Sequence, residues 1–156
     1  MMNLTEYLNK PFVEGINDCY SLAREFYQHT YGVTLGNYAR PTNWYLVDKF
    51  NFFTDNFEQE GFFEPKTTAN KVRYGDALLM VIGRSTVANH VAIYVGQNKI
   101  LHNLTGGISR LDSYSDRWRS RVTTVLRHPA SELGSEENAI TSFNNTPHHI
   151  KLRSQR

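Results

Sequence analysis

The stretch that decides the fold is "GINDCYSLAREFY", residues 15–27. Cys19, Leu22, Ala23, Phe26 and Tyr27 recur at the spacing of one helical face. Asn17 or Asp18 is a suitable N-cap and Gly32 a suitable stop, so the pattern predicts a helix over residues 17–32. The only cysteine of the chain therefore falls in the first turn, on the inward face. Unpaired N–H groups and the helix dipole favour negative charge there, and such a position can draw a thiol from about 8.5 down to roughly 3.5–7.5. Cys19 is expected to be a thiolate nucleophile, with a buried structural cysteine as the alternative.

Working outward, a second helix is expected over about 43–59, capped by Thr42 or Asn43, with Leu46, Val47, Phe50, Phe53 and Phe57 on one side. From Gly75 onward the apolar period falls to two. Residues 76–82, 90–95, 99–104 and 122–128 read as strands, the first apolar enough to be buried on both faces. The aromatic-rich stretch 38–63 is expected to form a second core layer, although Trp44, Tyr45 or Phe63 could wall a cleft.

A nucleophile needs a base, and His90 and His102 sit on two strands joined by "GQN", residues 96–98. A two-residue turn would send the two histidines to opposite faces. A three-residue loop sets 92 opposite 102 and gathers His90, Ala92, Tyr94, Ile100, His102 and Leu104 on one face, the histidines about 7–8 Å apart at Cα. In that register His90 is the expected base toward Cys19, and His102 holds its other ring nitrogen. A three-ligand zinc site uses the same residue types and stays open as an alternative. His29, His128, His148 and His149 have no partner spacing and read as surface or tail residues.

The chain of 156 residues carries a formal charge of +2, which argues against a nucleic-acid binder, and one cysteine excludes an internal disulfide. The start "MMNLTEYLNK" lacks the pattern of a signal peptide, and "ALLMVI" at 77–82 is too short to insert in a membrane. Synthesis in the cytoplasm is expected. Residues 1–128 read as one domain and 129–156 as a polar C-terminal tail suited to docking on a partner. Most of the arginines at 110, 117, 119, 121 and 127 are expected on a solvated face.

"NDCYSLAREFY", "GDALLMVI", "NHVAIYVGQNKILHNL" and "RWRSRVTTVLRH" together resemble the NlpC-type cysteine peptidases, and within them the branch carried in the tail tips of long-tailed phages. The likeness covers about residues 7–128. It implies an α+β, papain-like fold with the nucleophile helix packed on a central antiparallel β-sheet. It further implies Cys19 as nucleophile, His90 as general base, His102 as the orienting residue and Asp18 in support. No cofactor or metal is implied. The implied substrate is a peptidoglycan stem peptide, cut at the D-γ-glutamyl–diaminopimelate type of bond, and the implied partners are other tail tip or hub proteins of a virion. Where the family often has a tyrosine upstream of the cysteine this chain has Phe12, with Tyr7 the nearest substitute. A tail component that keeps the fold without catalysis is therefore the competing expectation, as is an amidase or acyltransferase using the same thiol.

Overall fold

Asp18 starts the first helix. Its carboxylate accepts the Ser21 N–H at 2.9 Å, which satisfies one orphan donor of α1 (Cys19–Tyr31). Gly32, at φ 68°, closes the helix by returning its N–H to the last turn. The computed structural model describes residues 3–47 and 50–133. The polar tail expected to dock on a partner lies outside the described residues from 134 onward.

Five strands follow: β1 (Ala77–Met80), β2 (His90–Tyr94), β3 (Lys99–Asn103), β4 (Ser109–Ser113) and β5 (Val122–Leu126). They form one sheet in the order β4-β3-β2-β1-β5, every pairing antiparallel. β1 is buried throughout, as its unbroken apolar run requires. One face of the sheet carries Leu79, Val91, Ile93 and Leu101 against α1 and the aromatic layer. The other carries Leu78, Met80, Ala92 and Ile100 beneath Tyr114 and Trp118, the latter from α3 (Asp116–Arg119). This is the α+β fold expected, with the nucleophile helix against an antiparallel sheet.

The β2–β3 pairs are Ile93–Leu101 and Tyr94–Ile100, which leaves Gly96, Gln97 and Asn98 as the loop, all three at positive φ. Extended toward residue 90, this register sets Ala92 opposite His102 and puts both histidines on one face. The three-residue loop required by the chemistry is the loop that forms.

The second helix is shorter than expected. Residues 44–46 form an isolated 3-10 turn, and α2 covers only Phe52–Gln59. Leu46 and Val47, expected inside, are 73% and 50% exposed. Over the eight residue steps from Trp44 to Phe52 a continuous helix would rise about 12 Å. The break instead lets Trp44 fold back until its ring lies 5.0 Å from Phe52 and 5.4 Å from Phe53. β4 and α3 are not among the expected elements; both are short and mostly polar, which leaves little apolar periodicity to read.

Arg127 also departs from the expected solvated face. It is 6% exposed, and its guanidinium forms two 2.8 Å bonds to Asp76, ahead of β1. The last strand is thereby tied to the start of the first by a bidentate, charge-assisted pair.

Candidate active site

Three chain segments bring the site together. The N-terminus of α1 presents Cys19, the start of β2 presents His90, and β3 presents His102. Cys19 and His90 line one cavity of about 370 Å³, whose wall is otherwise mostly apolar and includes Phe12, Trp44, Tyr45, Leu46, Ile82 and Leu104. Trp44 and Tyr45 thus serve both the core layer and the cleft, while Phe63 lies elsewhere, bridging to Arg127.

His90 Nε2 lies 3.0 Å from His102 Nδ1, so the second histidine holds the first as the shared strand face demands. His102 Nε2 in turn lies 2.7 Å from Asp112 on β4, and the ring is covered edge-to-face by Trp118 at 4.9 Å. Asp112 escaped the sequence reading because its strand did. A signal existed in the alternation of "SRLDS", which puts residue 112 on one side of an edge strand. Among the described residues no group of three or more histidine, cysteine or acidic side chains is arranged around a cation site. The ring nitrogens of the pair face each other and Asp112 instead.

Asp18 stands behind Cys19, not in the cavity wall. It is fully buried, accepts from Gly15 N–H at 2.8 Å and from Ser21 on its other oxygen, and pairs with Arg40 Nε at 2.7 Å. Arg40 is equally enclosed and also donates to the Tyr38 carbonyl. Asn103, beside His102, donates to the Asn17 carbonyl at 2.8 Å and so ties the histidine hairpin to the loop before Cys19. Asn89, beside His90, donates to the carbonyls of Tyr45 and Ile82, both at 2.9 Å, fixing two walls of the cavity. Tyr7 is no substitute for the missing hydroxyl. It packs on Phe26 and His29, about two helical turns from Cys19, whereas Phe12 lines the cavity with its ring edge-on to Tyr45.

The electrostatics describe a neutral resting site. Burial pushes the Cys19 thiol up to about 12, the Asp18 charge adds to this, and backbone hydrogen bonds from Val91 and Tyr20 with the Arg40 charge oppose it. The low thiol pKa expected from the helix N-terminus is therefore overridden by desolvation, since Cys19 is only 4% exposed. Burial, and then the neighbouring His102, holds His90 well below 6.5. Burial also lowers His102, against the opposing pull of Asp112. Among the hydrogen bonds of the described residues none joins Cys19 to His90; the two share the cavity wall, and catalytic contacts of this kind are often long before substrate binds.

These shifts predict acid sensitivity. With folded pKa values depressed below 6.5, the unfolded chain binds protons that the folded chain does not. The stability from these two groups is present above pH 6.5 and lost as pH falls below it, at about 1.4 kcal/mol per pH unit for each while the pH lies between its folded and unfolded values. Urea titrations at about pH 7.5 and about pH 5.5 should differ by about 1–3 kcal/mol, and His90→Gln should remove part of the difference, the rest falling to His102 and to His128, which burial also lowers. An acid limb that is the same in His90→Gln would contradict this assignment.

Comparison with known proteins agrees with the geometry. The NlpC/P60 family model matches residues 9–127. The chain is 34% identical over 119 residues to the tail tip assembly protein K of Escherichia phage lambda, covering 76% of this chain and 57% of that protein. It is 28% identical over 123 residues to the protein of the same name from Escherichia phage N15, covering 78% of this chain and 49% of that protein. The chain thus spans about half the length of the curated relatives it matches. Among solved structures, an NLP/P60 family protein from Staphylococcus aureus superposes with a TM-score of 0.51 at 20% identity, covering 78% of this chain and 37% of that one, a likeness of fold. A thiol at the N-terminus of a helix, two bonded histidines on the adjoining hairpin and a family match that spans both lead to one conclusion: this chain belongs to the NlpC/P60 family.

Proposed function

We propose that this chain is the cysteine endopeptidase domain of a phage tail tip protein, acting on peptidoglycan stem peptides in tail assembly, in local cell-wall degradation during infection, or in both. The observation that carries the reading is the shared cavity of Cys19 and His90, with His102 bonded behind the base. Cys19 Sγ attacks the scissile carbonyl while its proton passes to His90. The N–H groups at the N-terminus of α1, that of Cys19 among them, can stabilise the developing oxyanion. His90 then protonates the leaving amine, and water resolves the acyl-enzyme. The cavity wall is mostly apolar and still open to solvent, so substrate and the resolving water can both enter. Arg84, exposed beside Gly83 of the cavity wall, offers a cation to a stem-peptide carboxylate. The bond is of the D-γ-glutamyl–diaminopimelate type, the location is the virion tail, and the partners are other tail tip or hub proteins.

One observation favours a second reading, that of a structural tail component without catalysis. Phe12 lines the cavity with no hydroxyl, and the thiol is held protonated. Incubation of a purified stem tetrapeptide with wild type and Cys19→Ala, followed by mass spectrometry, separates the two readings. The endopeptidase predicts fragments with a new diaminopimelate amine from wild type and none from the variant. Intact peptide with both folded proteins supports the structural reading.

A further inference from the structure

The geometry points to Asp112 as the residue that sets the tautomer of both histidines, a positioning role exercised through His102 and resting on the endopeptidase reading above. Asp112 Oδ2 receives two donors, His102 Nε2 at 2.7 Å and Arg110 Nε at 3.0 Å. An oxygen engaged by a guanidinium is an ionised acceptor with no proton to give. The proton between Asp112 and His102 therefore sits on His102 Nε2.

The rest follows by proton bookkeeping. A neutral imidazole with its proton on Nε2 has a lone pair on Nδ1. His102 Nδ1 must then accept, and the 3.0 Å contact is His90 Nε2–H donating to it. His90, also neutral, is left with an unprotonated Nδ1, the nitrogen able to take the thiol proton. Without Asp112 the chain of bonds can run in either direction. In the reverse direction His90 carries its proton on Nδ1 and cannot act as a base toward Cys19.

Among the described residues, the groups packed against His102 include one acidic side chain. β2 contributes His90, α3 contributes Trp118 with Arg117 stacked on the indole at 5.0 Å, and β4 contributes Asp112 and Arg110. Of these only Asp112 carries negative charge. The hydrogen bonds from His102 and Arg110 outweigh the cost of its partial burial and hold its carboxyl below the usual range. Its side chain is 25% exposed on an edge strand, so it can be replaced without opening the core.

The test is histidine tautomer state, read by long-range proton–nitrogen NMR on protein labelled with ¹⁵N-histidine, with His90→Gln and His102→Gln to assign the signals. Wild type should show Nε2–H on both His90 and His102. Asp112→Ala and Asp112→Asn should place Nδ1–H on a substantial fraction of both rings, and Asp112→Glu should restore the wild-type pattern. On stem peptide, Asp112→Ala should lower kcat by about 10- to 100-fold with KM little changed. Nδ1–H on His90 in wild type, or the same tautomers in wild type and Asp112→Ala, would overturn the assignment. The NMR result stands whether or not the protein cleaves stem peptide, so the two claims fail separately.

Discussion

Replacing His90 by glutamine should lower kcat on a stem peptide by about 10³- to 10⁴-fold while leaving KM within a few-fold. The thiol in this structure cannot ionise on its own at neutral pH, because burial holds it near 12. Its proton must leave during attack, and His90 is the imidazole that shares its cavity. Losing the base removes both activation of the nucleophile and protonation of the leaving amine. Glutamine is chosen because it can still offer His102 a hydrogen-bond donor, so the buried second histidine is not left unpaired. Far-UV circular dichroism and a urea titration establish that the variant is folded. Activity within tenfold of wild type in folded His90→Gln would remove His90 from the mechanism.

The largest loss of stability is expected from Asp18→Ala, about 3–5 kcal/mol in a urea titration near neutral pH. One carboxylate caps α1, holds the Gly15 turn and neutralises Arg40, and both partners of the ion pair are enclosed. Alanine removes the cap and leaves the guanidinium buried without its counter-charge. The double variant Asp18→Ala/Arg40→Met removes the stranded charge as well and should recover part of the loss. A single-variant loss below about 1 kcal/mol would mean that water reaches Arg40 and that the pair is not the keystone described.

Much of this molecule is legible in its residues, and what is not has physical causes. The helix at Cys19 declares itself through an apolar stripe between an aspartate cap and a glycine stop, and it folds as written. The hairpin register follows from requiring two histidines on one face, and the loop at Gly96–Asn98 meets that requirement. The failures lie where periodicity is misleading or absent. Leu46 and Val47 fit a helical stripe, but Trp44 gains more by turning back onto Phe52 and Phe53, so the stripe is broken. Asp112 and Arg127 act through partners far along the chain, His102 and Asp76, and pattern within a window cannot show such a pairing. The thiol departs from its expected low pKa for a related reason. Helix position is a local property, whereas the desolvation that overrides it comes from packing.

A buried thiol beside a neutral imidazole gives the site a definite character. A thiol that is 4% exposed and held protonated by burial is expected to react slowly with bulk thiol reagents until a substrate enters the cavity. Catalysis by this site, as proposed, passes through a thioester on Cys19. Acid-quenched mass spectrometry of intact protein during turnover of a stem peptide tests it most directly. A transient adduct with the mass of the acyl fragment is expected, mapped to the peptide containing Cys19 and absent in Cys19→Ala. Cleavage that persists in Cys19→Ala, without any adduct on the wild type, would contradict it.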